Sequence, residues 1–210
     1  MAKEKHDNTT EKAILEAAMK VFIHKGYAAA RMDDIAKEAN INRALLHYYF
    51  RTKEKMFDLI FEEKVKEFFS GLAQILFSEA KLEEVIRGMV RHEITLINAN
   101  PYLPIFILQE LRQSPERLMN YAQKAGLSPH MVLKRFSVLV KEAIKEKKIR
   151  DIEPSQVLIN VMSLCIYPAM AKPILKNVLE LDDSGFRKMM IKRIDQVSEF
   201  VMLSLKPIEK

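Results

Sequence analysis

Ile41–Lys53 reads INRALLHYYFRTK, and the eight residues before it, Met32–Ala39, read MDDIAKEA. The later stretch carries Arg, His and Tyr with no acid between Glu38 and Glu54, the make-up of a helix presented to a polyanion. Asn enters the left-handed region more cheaply than most residues, so Asn40 can end one helix, and Asn42 can cap the next. Two short helices separated by Ala39-Asn40-Ile41-Asn42 form the pattern of a helix-turn-helix, whose second helix lies in the DNA major groove while the first crosses the backbone. Helical spacing turns Leu46 and Phe50 inward with Ile35 and Ala36, turns Arg43, Ala44, His47 and Tyr48 outward, and leaves Leu45 and Tyr49 at the border.

Outward from this core the pattern stays helical. Residues 1–7 are charged and are read as a mobile arm. From Asn8 the set Ala13, Ile14, Ala17, Ala18, Val21, Phe22 keeps helical spacing until Gly26 stops it. Thr52 is read as the cap of a fourth helix beginning Lys53-Glu54-Lys55, whose free N–H groups and lysine suit a phosphate. No Gly, Pro or Ser cluster interrupts residues 53–70, so this helix should connect the DNA reader rigidly to the rest.

The residues now named resemble the TetR family of tetracycline-repressor-like transcriptional regulators. The matching positions are Thr10, Ile14, Leu15, Ala17, Ala18, Phe22, Gly26, Tyr27, Ile35, Ala36, Ala39, Leu46, Tyr49, Phe50, Lys53 and Phe57. They span the first quarter to third of the chain, and so many spaced matches are far more specific than one short motif. The sequence departs from the family where Ala30 and Arg31 replace Ser or Thr, Asn40 replaces Gly, Asn42 replaces Ser, Leu45 replaces Thr or Ser, and His47 replaces Tyr. The resemblance implies an all-α protein: a DNA-binding domain over residues 1–52, then a ligand-binding and dimerisation domain over residues 53–210, with 53–70 as connecting helix. Arg43, Ala44, Leu45, His47 and Tyr48 are expected to meet bases or sugars, and Arg31, Tyr49 and Lys53 phosphates.

Composition agrees with a soluble globular chain: 210 residues, 49% hydrophobic and 30% charged, net charge +6. Single Cys165 excludes an intrachain disulfide, and a reducing cytoplasm is the expected compartment. The N-terminal segment lacks a signal-peptide core and no apolar run approaches membrane-spanning length, so neither secretion nor a membrane partner is expected. The five histidines lack a second ligand at metal spacing, and no nucleophile elbow, Walker loop or dinucleotide fingerprint occurs, so no metal, cofactor or enzymatic activity is expected.

Beyond Gly71 the patterns predict helices near 82–98, 101–112, 129–147, 154–179 and 183–205, about nine in all, with prolines at their boundaries and Pro168 and Pro173 able to split the penultimate one. Met89, Tyr102, Phe106, Tyr121, Met162 and Tyr167 are chosen as pocket candidates because they are apolar or aromatic in mid-domain. The effector is expected to carry an aromatic or anionic part, given the surplus of Lys and Arg. For the interface of a two-fold homodimer the candidates are the strip Phe186, Met190, Val197, Phe200, Val201 and the Val157, Val161, Leu164 side of the preceding helix. The leading function is a ligand-responsive regulator reading a pseudo-palindromic operator, with a small-molecule effector. The rival is a protein-interaction module that keeps the helix-turn-helix fold without reading DNA.

Overall fold

The structure is a computed structural model describing residues 2–101, 103–113, 115–124 and 129–207; for 2–8, 106, 109–111, 113, 115, 117 and 118 it describes the backbone only. Among the described residues there is no strand, and eleven helices follow one another. They are α1 Ala2–Ala29, α2 Met32–Glu38, α3 Arg43–Tyr49, α4 Lys53–Leu76, α5 Leu82–Ala99, α6 Leu103–Gln113, α7 Pro115–Lys124, α8 Pro129–Lys145, α9 Pro154–Met170, α10 Lys172–Val178 and α11 Asp183–Leu205.

Two counts differ from the sequence reading, each for a physical reason. Helix α7, absent from the sequence reading, opens on Pro115, whose missing N–H and fixed φ suit the first turn of a helix. The segment 154–179 is two helices that meet at Ala171 with a bend of 72°. Pro168 stays inside α9, so the break falls just ahead of Pro173 instead. The supposed arm is also helical from Ala2, because Lys, Glu and Ala there are good helix formers and nothing stops the helix.

Helices α1 to α3 form the N-terminal unit around Ile14, Ala18, Phe22, Ile35, Leu46 and Phe50, all essentially buried. Gly26, at φ 74°, breaks α1 where its pattern ends. Helix α4 leaves this unit and runs on as a core element of the larger one, contributing Phe57 and Phe61 at its start and Val65, Phe69, Leu72 and Leu76 further on. There α4, α5, α8, α9 and α11 enclose one continuous core. Gly71 lets α5 approach α4: a Cβ at this position would lie 2.0 Å from Cε1 of His92, whose Nε2–H donates to Phe68 O at 3.0 Å. No single helix among the described residues is long and apolar enough to cross a membrane.

Candidate nucleic-acid interface and effector cavity

The turn is built as its residues require. Asn40 takes φ 53°, and Asn42 Oδ1 accepts the Leu45 N–H at 2.7 Å to cap α3. Helix α2 has no side-chain cap from Arg31; instead the Asp34 carboxylate accepts the Arg31 N–H at 3.1 Å. That resolves the absence of Ser or Thr there by using the other half of a capping box. Lys25, 2.7 Å away, holds the Asp34 carboxyl below its ordinary pKa, so this anion persists in mild acid.

Helix α3 offers one outward face. Arg43, Ala44, Leu45, His47 and Tyr48 are exposed, Tyr48 at 76%, while Tyr49 is half-buried with its ring against Tyr48. Arg43 Nε donates to His47 Nε2 at 3.4 Å, and its Nη1 lies 3.3 Å from Asp33 Oδ1 on α2. Both contacts are exposed, so they steer the guanidinium without holding it strongly, and a base edge can replace them. Arg43→Ala is expected to cost roughly 1–3 kcal/mol on the selected operator and to relax specificity there. Fluorescence-anisotropy titrations on matched and mutated duplexes check it, and equal affinities for wild type and variant would dismiss the orientation of α3.

Lys53 has a different place from the expected phosphate contact. Its Nζ donates to Tyr27 O at 2.8 Å, Ala28 O at 3.2 Å and Ala30 O at 2.9 Å, and lies 4.7 Å from the Tyr27 ring centroid. An ammonium has three protons, and here all three are engaged. Lys53 therefore locks the start of α4 onto carbonyls left open at the end of α1. Lys53→Met should destabilise the protein by roughly 2–3 kcal/mol, the scale of one or two hydrogen bonds from a charged donor. A chemical-denaturation curve superimposable on the wild type would contradict that role. At the N-terminus of α4 Thr52 Oγ1 accepts the Lys55 N–H at 3.3 Å, so what this end offers an anion is backbone N–H groups and not the Lys53 ammonium.

The larger unit contains a cavity of about 340 Å³, bounded by Val65, Phe69 and Leu72 of α4, Met89 of α5, Ile107 of α6 and Met162 of α9, among others. This volume falls at the lower end of the roughly 300–1,000 Å³ of small-molecule sites. Of the residues chosen from sequence, Met89 and Met162 line it. Tyr121 packs edge-on against Phe61 instead, at 5.6 Å between centroids. Tyr167 points outward, 64% exposed. Tyr102 and the Phe106 side chain lie outside the described residues.

Glu93, for which the sequence allows either a solvated face or a pocket lining and which is not among the six pocket candidates, is the one charged residue among the described lining. It is 1% exposed, no N–H or O–H of the described residues reaches either carboxylate oxygen, and burial raises its pKa to about 7, the weak hydrogen-bonding thiol of Cys165 beside it being the smaller, opposing cause. No Lys or Arg lines the cavity among those residues, so the general surplus of basic residues does not reach it.

The expected interface strip is also relocated. Val157, Val161, Phe186, Met190, Val197 and Val201 are buried within the single chain, packed in the core that α5, α9 and α11 share, and Leu164 is half-buried against it. Apolar helical spacing marks burial without naming the partner. Phe200, at 62% exposure, remains free, with Leu203 of α11 and Ile159, Tyr167 and Met170 of α9 also exposed.

A helix-turn-helix tied by a rigid helix to an all-helical domain with an apolar cavity defines the class of DNA-binding regulators that sense small molecules. Residues 14–60 match the family model for bacterial regulatory proteins, tetR family. The chain is similar to the uncharacterized HTH-type transcriptional regulator YhgD of Bacillus subtilis (strain 168), 25% identical over 190 residues, 81% of this chain and 93% of that one. Its fold is similar to that of the ketosteroid transcriptional regulator KstR2 of Mycobacterium tuberculosis, with a TM-score of 0.72, 18% identity, and 94% and 95% of the two chains covered. It is also similar to the transcriptional regulator FadR from Bacillus subtilis in complex with stearoyl-CoA, with a TM-score of 0.61, 19% identity, and 92% and 98% covered. Residues 14–60 thus carry the DNA-binding region of the tetR family, and the whole chain shares the fold of such regulators.

Proposed function

We propose that this protein is a cytoplasmic repressor that binds a pseudo-palindromic operator as a two-fold homodimer and is released when a largely apolar small molecule occupies the cavity. The observation that carries this reading is that one helix belongs to both sites. Val65, Phe68, Phe69 and Leu72 of α4 line the cavity. At the other end Lys53 grips the carbonyls of α1, and Phe57 packs on Phe22 and Tyr27 at centroid separations of 5.4 and 4.8 Å. From Val65 to Lys53 is roughly 18 Å of uninterrupted helix. A ligand that shifts the cavity end moves the reader with it.

The two-fold arrangement follows from the size of the reader. One recognition helix meets only a few base pairs, and two half-sites about 34–36 Å apart, or a multiple of the turn, give useful specificity. The bound stearoyl-CoA of Bacillus subtilis FadR supports a hydrocarbon-bodied effector for a cavity with this lining. A ligand changes DNA affinity only by binding the DNA-competent and the released arrangement of the two recognition helices unequally, so operator must change effector affinity by the same factor.

The exposed face of α3 favours DNA reading over a protein-interaction module, and the protein acts as a regulator and not as an enzyme. In vitro selection of duplexes by the purified protein tests this. The expected result is an enriched pseudo-palindrome whose affinity falls steeply with salt as counterions are released. Recovery of unrelated sequences at equal affinity would defeat the reading.

A further inference from the structure

We infer that the effector presents a hydrogen-bond donor, an amine or a hydroxyl, to Glu93 from an otherwise hydrocarbon body. This rests on the cavity being the effector site and adds the chemistry by which it selects. Every other described lining residue is apolar, Met89, Leu96, Leu103 and Met162 among them, so orientation inside the cavity has a single polar handle. That handle is an acceptor: no N–H or O–H of the described residues reaches either oxygen of Glu93, which has only the weak thiol of Cys165 beside it, while the side chain is 1% exposed.

Leaving a carboxylate unpaired out of water is costly, and a ligand that donates to it recovers much of that cost. An ammonium would pair with the ionised carboxylate, and a hydroxyl would donate to either form. A ligand carboxylate does the opposite, since it places a second negative charge beside the first unless one of them takes up a proton. Nothing in the described lining compensates an anion: Arg193, reaching from α11, donates through Nη2 to Leu164 O at 2.9 Å and does not line the cavity. Cys165 of α9 is the other polar neighbour, and burial together with Glu93 raises its thiol pKa, so it offers a weak donor and no charge.

Isothermal titration calorimetry at pH 7 with n-decylamine, 1-decanol and sodium decanoate, on the full chain and on Glu93→Gln and Glu93→Leu, tests the inference. Each probe has ten carbons in one unbranched chain, so they differ chiefly in the head group. Decylamine and decanol should bind the wild type at least tenfold tighter than decanoate, and the two neutral variants should lose most of that discrimination. A loss larger for the amine than for the alcohol identifies a cationic effector; an equal loss identifies a hydroxylated one. Decanoate binding as tightly as the others, or discrimination unchanged in both variants, overturns the role of Glu93 and leaves the cavity as a site. No binding by any probe overturns the effector site itself. Circular-dichroism melting of each variant separates lost binding from lost fold.

Discussion

Phe200→Glu is expected to convert the dimer to folded monomers and to weaken operator binding by roughly 2–4 kcal/mol, about 30- to 1,000-fold, the scale of a lost interface hot spot. The substitution is informative because Phe200 makes its apolar surface available in the single chain, 62% exposed, so a charge there disturbs no intrachain packing. Leu203, three residues on, lies on the same side of α11 and is also exposed. Helix α9 is tied to α11 by the Arg193–Leu164 bond and exposes Ile159, Tyr167 and Met170. Two such helices from each of two chains make a four-helix contact of the kind bundles use. Val197 and Val201 are unsuitable probes of the same contact, at 3% and 2% exposure, because a charge at either unfolds the core before it reports on association. Sedimentation velocity of Phe200→Glu beside the wild type decides the matter. A dimeric variant with unchanged operator affinity would take this face out of the mechanism.

What could be read from the sequence divides by the range of the interaction concerned. Asn40, Asn42 and Thr52 act on neighbours within three residues, so their roles in the turn and caps could be named from the chain alone. The inward and outward faces of α3 follow from helical geometry with equal directness. Lys53 shows the limit. A lysine at a helix start looks like a phosphate ligand until Tyr27, Ala28 and Ala30, between 23 and 26 residues away in sequence, are found to take its protons. The apolar strip of α11 shows a second limit: its spacing states that Met190, Val197 and Val201 are covered, and only the packing against α5 and α9 states by what.

The solvated-face alternative for Glu93 is excluded by the register of its helix. Ile86, Met89, Val90, Glu93, Ile94 and Ile97 share the buried face of α5, so one carboxylate interrupts an otherwise apolar helical stripe. A lone acid in such a register is a stronger pointer to a functional cavity than any of the methionines. The methionines fill core and cavity alike. The rings of Tyr167 and Tyr121 point to no pocket by themselves, since a ring is equally at home on a surface patch or in a core.

Glu93→Gln should stabilise the protein in a pH-dependent way, by about 3 kcal/mol more at pH 8 than at pH 4. The Glu93 carboxyl titrates near 4.5 in the unfolded chain and at about 7 when folded, because burial disfavours its charged form. Below 4.5 both states hold the proton and the group contributes no pH dependence. Between those values the folded state binds more protons than the unfolded one, so stability falls as pH rises, and above about 7 the full penalty is present. The window of about two and a half units, at roughly 1.4 kcal/mol per unit, sets the size of the effect. Glutamine cannot ionise, so the variant escapes the decline, whereas its unpaired amide adds a constant offset. The thiol facing Glu93 does not reproduce the slope: Cys165 is pushed up by the same burial and stays protonated. His92, next to Glu93 on α5, is engaged with Phe68 O and is common to both proteins, so it cancels in the difference. Urea unfolding of wild type and variant at pH 5, 6, 7 and 8 measures that difference. Parallel stability profiles would show that Glu93 reaches water or a partner in solution, and the buried, unpaired carboxylate on which the effector chemistry depends would have to be abandoned.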